Sequence, residues 1–306
     1  MRETGPFLST NVGETVSLPG PLDIDASLAL FRRTGDDLID RWDGARLVRT
    51  IAVDGRQVAY CCEAVGSVDK PGFRVQPASL SHVAKQTFFL APEGWSDLLA
   101  RDPVLERLDQ RFPGVRQPRQ YDLFGALVRC ISAQQVNLRW AVTTRRRLAE
   151  SFGDRHTLDG HVVYSLDPRR IAEVKPEQIR ALQFTTKKAE FIVAVAQAMA
   201  DDGLSLTQLE ALPDEEVVTR LTRIRGLGRW SAEWILARTL GRPTVVAGDL
   251  GVRKAVGLAY LNDPLPSEAA VRRATEHWQD SAGVAQALLL HALTHAGLGG
   301  SSPGPP

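Results

Sequence analysis

From Tyr121 almost to the end of the chain, amphipathic patterns of helical period follow one another, among them FGALVRCISAQQV, RWAVTTRRRLAESF, KKAEFIVAVAQAMAD and EAAVRRATEHW, while strand signals nearly vanish. A stretch of that length can bury its apolar stripes only helix against helix, which predicts an all-α domain over residues 116–298. Ahead of it the period changes. The segment ARLVRTIAVDGRQVAYCCEAV (45–65) sets two β-prone runs around Asp54-Gly55, a dipeptide that supplies the positive φ angles of a type I′ turn, and so predicts a hairpin. Further short runs at Phe73–Val75 and Gln86–Leu90 stand beside helical patterns at Ser27–Arg32 and Trp95–Arg101, giving a smaller N-terminal α+β domain over residues 19–115. FPGVRQPRQ, with two prolines, is the expected boundary. Two domains also suit 306 residues at roughly 150 per domain. The polar, Gly/Thr/Ser-rich residues 1–18 and the tail 299–306 carry no regular pattern and are expected to be flexible.

With 37 basic against 36 acidic side chains, the chain lacks the global excess of a protein that coats nucleic acid by charge, so any polyanion site must be local. Cys61, Cys62 and Cys130 are too few for a disulfide framework or a four-ligand zinc or iron–sulfur site. No run of about 18 apolar residues occurs, and MRETGPFLSTNVGE has no apolar export core, so a soluble cytoplasmic protein without membrane contact is expected. His291 and His295 are spaced i, i+4 with no third ligand nearby and read as structural or solvent-facing.

The most informative stretch is LTRIRGLGRWSAEW, Leu221 to Trp234, where a helix ending near Arg223 meets one starting near Arg229 through a tight turn containing Gly226 and Gly228. Glycines there permit backbone angles and close approaches that a Cβ blocks, and the second helix opens with unpaired N–H groups at its positive end. Such a turn can hold a phosphate, or it can be an ordinary corner between helices. Between residues 217 and 256, Arg220, Arg223, Arg225, Arg229, Arg238, Arg242, Arg253 and Lys254 are opposed only by Glu233 and Asp249, which favours the phosphate. Trp230 and Trp234 share one helix face, where they either pack a core or hold a flat base. Asp249, directly before a helix in RPTVVAGDLGVRKAVGLAYL, reads as an N-cap. Helix N–H groups and the dipole favour the charged form of a capping carboxylate, which suits a stabiliser of developing positive charge better than a strong general base.

The order of Gly-x-Gly hairpin, helix and Asp249 resembles the helix-hairpin-helix Gly/Pro/Asp (HhH-GPD) superfamily of DNA glycosylases. SAQQV (132–136), ALQFTTKKAEFI (181–192), RIRGLGRWSAEWILAR (223–238) and AGDLGVRK (247–254) are most similar to the DNA-3-methyladenine glycosylase II, AlkA-type, branch. The resemblance spans roughly residues 115–295, and it implies a TBP-like antiparallel-sheet domain before them.

By motif, the resemblance implies that Asp249 is the catalytic aspartate, although the usual Pro-x-Asp here reads Ala247-Gly248-Asp249. Trp230 stands where bifunctional members carry a Schiff-base lysine, implying a monofunctional enzyme. Trp234 matches a base-pocket aromatic, whereas a further expected aromatic is replaced by Leu290 or His291. Gln134 and Gln135 fall in the loop that inserts a side chain into the duplex, with Gln135 the expected wedge; as bare sequence, the pair is a polar helix terminus. Arg225, Gly226, Gly228, Arg229 and Ser231 would contact DNA, and the carbonyls of Thr222, Ile224 and Leu227 would hold a monovalent sodium or potassium ion, the sole cofactor implied. The expected function is monofunctional excision of alkylated bases (3-methyladenine, 7-methylguanine type) from double-stranded DNA by a monomer. The rivals are a non-catalytic DNA-binding module, in which Asp249 is only a cap, and a glycosylase for oxidised or deaminated bases.

Overall fold

The structure is a computed structural model and describes residues 13–201 and 203–295. The predicted hairpin forms as β3 (Arg46–Val53) and β4 (Arg56–Gly66), and Asp54 and Gly55 take φ values of 48° and 75° at its turn. With β1 (Glu14–Ser17), β2 (Arg41–Trp42) and β5 (Pro71–Gln76) they make an antiparallel five-stranded sheet in the order β1-β5-β4-β3-β2. Residues 1–12 and 296–306, which include most of the segments expected to be flexible, lie outside the described residues. Glu14–Ser17 correct that expectation in part: they are an edge strand paired with β5, held by Val16 in the core.

Register decides what each sheet face does, because alternate residues point to opposite sides. Leu47, Tyr60, Cys62, Phe73 and Val75 turn towards Leu22, Leu28, Phe31, Leu80 and Val83. Val48 and Cys61 turn the other way, onto Val163 of a second hairpin formed by β8 (Asp154–Leu158) and β9 (His161–Ser165). That hairpin interrupts the region expected to be all helix, and its turn again uses an Asp-Gly pair, Asp159 and Gly160, at φ 48° and 77°. The run Gln86–Leu90 contributes only β6 (Phe88–Phe89), paired with β7 (Gln117–Pro118).

The helices divide into two packed groups. One is built around Leu123–Ala133, Leu138–Phe152, Thr186–Ala200, Asp214–Thr222 and Arg229–Ile235. The other contains Leu250–Val256, Glu268–Thr275 and Ala282–His295, and it includes Trp95–Leu99 and Pro103–Arg111. The last two were expected in the α+β domain ending at residue 115; Trp95, Leu98, Leu105 and Leu108 instead pack with Val252, Trp278 and Leu288. Among the described residues, no helix is long and apolar enough to cross a membrane.

A buried ionic network joins sheet to helices. Asp40 on the loop before β2 accepts from Arg49 of β3 at 2.5 Å and from Arg129 at 2.8 Å, while Asp37 takes Arg145 at 2.9 Å. Burial alone would raise the Asp37 carboxyl, but Arg129 and Arg145 outweigh it and hold it at about 2.

Candidate active site

The hairpin runs from Asp214–Thr222 into Arg229–Ile235, which continues through a π-helical turn, Leu236–Leu240. Gly226 is required twice over: its φ is +96°, and a Cβ would stand 2.1 Å from Cγ of Phe191. Gly228 differs, being extended (φ −101°, ψ −178°) with nothing within 4 Å of where a Cβ would lie. As the N-cap, it has no side chain to bond the helix, so the exposed turn presents the amides of Gly228, Arg229 and Trp230. That is a ready anion seat.

The arginines around it are less free than their numbers suggest. Arg225 pairs with Glu190 at 3.0 Å; Arg229 binds Glu233 at 2.9 Å and Glu215 at 3.2 Å; Arg242 lies 3.6 Å from Asp214. Glu233 is buried and also takes Arg272 at 2.7 Å, and its hydrogen bond is the main reason the Arg229 guanidinium is raised further. Arg220 caps the Gly203 carbonyl, and Arg253 that of Pro266. Arg223 and Lys254 remain exposed with no partner among the described residues. The local excess is real in sequence, but acids outside the window neutralise much of it. Ser231, expected to touch DNA, is buried at 1% exposure, since it faces inward on the first turn; its side chain is withdrawn from that role.

Asp249 caps Leu250–Val256: Oδ1 accepts from Gly251 N at 2.9 Å and Val252 N at 3.1 Å, while Oδ2 accepts the Trp230 indole N–H at 3.4 Å. The carboxylate and the tryptophan thus meet at the seam between the two helical groups, Trp230 on the hairpin helix and Asp249 at the start of the second group. Where a proline would sit, Ala247 donates its N–H to Val245 O at 2.9 Å, a bond that proline cannot make. The same segment is fixed by Val246 N on the buried Gln286 side chain at 2.8 Å. Gln286 was not singled out by sequence, and an inward glutamine on an apolar helix is the signal that marks it.

Trp234 is half-buried, and the Arg238 guanidinium lies over its ring at 5.2 Å from the centroid. Arg238 is no part of a surface cluster: burial lowers it, Nη1 donates to Gln117 at 2.7 Å, and Nε has no partner. One Trp234 face is therefore already occupied by a cation. Of the two candidates for the missing aromatic, Leu290 is at the site, its Cδ2 3.1 Å from where a Gly251 Cβ would be. His291 is not; it stacks on His295 at 4.1 Å and edge-on to Phe112 at 4.9 Å.

The Gln pair separates. Gln134 Nε2 donates to the Gly226 carbonyl at 2.9 Å, bracing the hairpin, whereas Gln135 is exposed with φ +53°. Cys61, Cys62 and Cys130 are free and buried, which pushes the Cys61 thiol up to about 11 and the other two higher.

The model of the HhH-GPD superfamily of base excision DNA repair proteins matches residues 128–280, the stretch that holds Gln134, the hairpin and Asp249. The chain belongs to this superfamily. Relatives similar to it include the DNA-3-methyladenine glycosylase of Bacillus subtilis, 28% identical over 60% of this chain and 61% of that protein. DNA-3-methyladenine glycosylase 2 of Escherichia coli is 30% identical over 58% and 60% respectively. The chain therefore spans about three-fifths of the length of these Bacillus subtilis and Escherichia coli relatives. Among solved structures, the 3-methyladenine DNA-glycosylase of Archaeoglobus fulgidus superposes with a TM-score of 0.81, at 24% identity, covering 92% of this chain and 99% of that one. The likeness of fold therefore takes in the N-terminal sheet as well as the helices.

Proposed function

We propose that this protein is a monofunctional DNA glycosylase that hydrolyses the N-glycosidic bond of alkylated bases, of the 3-methyladenine and 7-methylguanine type, in double-stranded DNA and leaves an abasic site. The observation that carries the proposal is the Asp249 carboxylate, held by two backbone amides and by the indole of Trp230, next to an exposed turn of unpaired amides. Two backbone amides fix Oδ1 in place, so the Asp249 carboxylate is a well-placed anion. An N3- or N7-alkylated purine is already cationic and leaves without further protonation, so the protein has to extrude the nucleotide and stabilise positive charge on the sugar. Asp249 supplies that countercharge, and water completes the hydrolysis. Trp230 offers an aromatic face to the cationic base and no amine to the sugar, which separates hydrolysis from lyase chemistry.

Gly228, Arg229 and Trp230 amides grip a phosphate, Arg223 adds charge, and Gln135 is the side chain that enters the stack. A monovalent cation on the carbonyls of Thr222, Ile224 and Leu227 fits the turn: Arg225 is drawn off to Glu190, and Ile224 O, which accepts Leu227 N at 3.1 Å, keeps a second lone pair. Such an ion would stiffen the turn. No redox cofactor enters the scheme, and the protein acts as a cytoplasmic monomer on DNA. Support for the substrate class comes from the names of the Bacillus subtilis and Escherichia coli relatives. The test is incubation with N-methylated duplex: free methylated purine is expected, with strands intact until alkali is added. Salt-sensitive binding without release would replace the proposal with a non-catalytic DNA-binding module.

A further inference from the structure

Ser132 lies in the last turn of Leu123–Ala133, three residues before the exposed Gln135, and two buried cations close on it. Arg145 Nη1 donates to its hydroxyl at 2.9 Å and is itself fixed by Asp37 of the N-terminal domain at 2.9 Å. Lys188 Nζ donates to its carbonyl, also at 2.9 Å. Lys188 is only 8% exposed, and this carbonyl is its one side-chain acceptor among the described residues; no carboxylate pairs with it. An unpaired buried ammonium is costly, and burial duly lowers its affinity for a proton. Its placement is intelligible at a helix C-terminus, where carbonyls lack intrahelical partners and the dipole favours a cation.

The helix that carries Lys188, Thr186–Ala200, also carries Phe191, the ring packed against Gly226 of the hairpin. Gln134 then bonds the Gly226 carbonyl directly. One helix therefore braces both the loop that ends in Gln135 and the turn that presents the amides, and residues 132 and 134 are fixed while 135 is released into solvent at positive φ. Apolar packing alone would not need a polar group here; the Lys188 ammonium supplies the donor that reaches the Ser132 carbonyl.

We propose that Lys188 is a positioning residue that sets the register between the phosphate-gripping turn and the intercalating Gln135, so that gripping the backbone drives the wedge into the stack. The proposal rests on the assignment of this face as the DNA site and of Gln135 as the wedge. Without Lys188 the loop keeps its sequence but loses the fixed spacing to the turn, so duplex binding and nucleotide extrusion come apart.

The experiment compares wild type with Lys188→Met and Lys188→Arg in the full chain. Affinity is measured on undamaged duplex, and extrusion is followed by the fluorescence of 2-aminopurine beside an abasic analogue. Lys188→Met is expected to bind undamaged duplex within threefold of wild type while the 2-aminopurine signal on saturation falls at least fivefold, and Lys188→Arg is expected to recover at least half of it. An unchanged signal in Lys188→Met, or a loss of duplex affinity that matches the loss of signal, overturns the proposal. If Lys188→Met does not fold by circular dichroism, Lys188→Gln, a neutral amide too short to span the gap, carries the same expectations. The fluorescence readout needs no base release. A wild-type protein that extrudes nucleotides but frees no base would therefore refute the proposed enzyme activity and leave this inference standing on its own result.

Discussion

Gly226 and Gly228 lie two residues apart in one turn, yet substitutions at them are expected to fail in different ways. At Gly226 the backbone is left-handed, which costs alanine about 1–2 kcal/mol, and the new methyl meets Phe191 at 2.1 Å, adding about 1–3 kcal/mol of overpacking. Gly226→Ala should therefore lose roughly 2–5 kcal/mol of stability and several degrees of Tm. At Gly228 the backbone is extended and the space open, so Gly228→Val should cost less than about 1 kcal/mol, the difference between a poor N-cap and a glycine one. Its branched side chain stands instead where a phosphate would approach the amides of Gly228, Arg229 and Trp230. Losing one hydrogen bond to a charged partner, about 1.5–3 kcal/mol, should weaken binding roughly ten- to a hundredfold. Because phosphate contacts carry no base information, undamaged and methylated duplexes should lose equally. Thermal melts with anisotropy titrations on both duplexes decide it. A Gly228→Val protein that melts like Gly226→Ala but binds normally, or that loses affinity only for damaged DNA, would refute the assignment of the turn.

Three further outcomes follow from the same geometry. Arg223→Ala, which removes an exposed and unpaired guanidinium, should lower the slope of log affinity against log salt by about 0.9, whereas Arg225→Ala, paired with Glu190, should lower it less. Asp122 caps Leu123–Ala133, and burial lifts its carboxyl to about 6; the native state therefore holds the proton more tightly than the unfolded chain, and stability is lost as pH rises through that value. Asp122→Asn, still a good cap, should raise Tm at pH 8 by the equivalent of about 1–3 kcal/mol and leave it unchanged at pH 4, as melts at the two pH values will show. Trp230→Phe keeps a ring but deletes the 3.4 Å bond to Asp249, and single-turnover base release should slow about tenfold, the value of one long charge-assisted bond.

Much of this architecture was legible because local chemistry announced it. The Asp54-Gly55 turn, the cap at Asp249, and the glycine turn before Trp230 are each set by residues adjacent in sequence. The same turn signal at Asp159-Gly160 announced β8 and β9, but the amphipathic patterns on either side masked it. What stayed hidden depends on partners far away. An apolar stripe on Trp95–Leu99 or Pro103–Arg111 says that a helix must be covered, not that residues 250–295 cover it. The charge around the turn looked unopposed because Glu190, Asp214 and Glu215 lie outside the window. The family resemblance singled out Gln135 as the wedge, but only the fold shows the Gly226 carbonyl claiming Gln134 while positive φ exposes Gln135. Lys188 lies inside ALQFTTKKAEFI, but as one of two adjacent lysines it gave no sign of its burial against the Ser132 carbonyl.

The most direct test of the account is single-turnover release of methylated purine by Asp249→Asn. The asparagine oxygen can keep the two amide bonds of the cap, so circular dichroism and affinity for abasic-analogue DNA should stay near wild type, the latter within about tenfold. The countercharge to the sugar is gone, and removing one such electrostatic stabiliser costs about 2.7–4 kcal/mol, so release should fall by at least a hundredfold. A folded Asp249→Asn protein that released methylated bases at close to the wild-type rate would contradict the account and leave Asp249 as a helix cap.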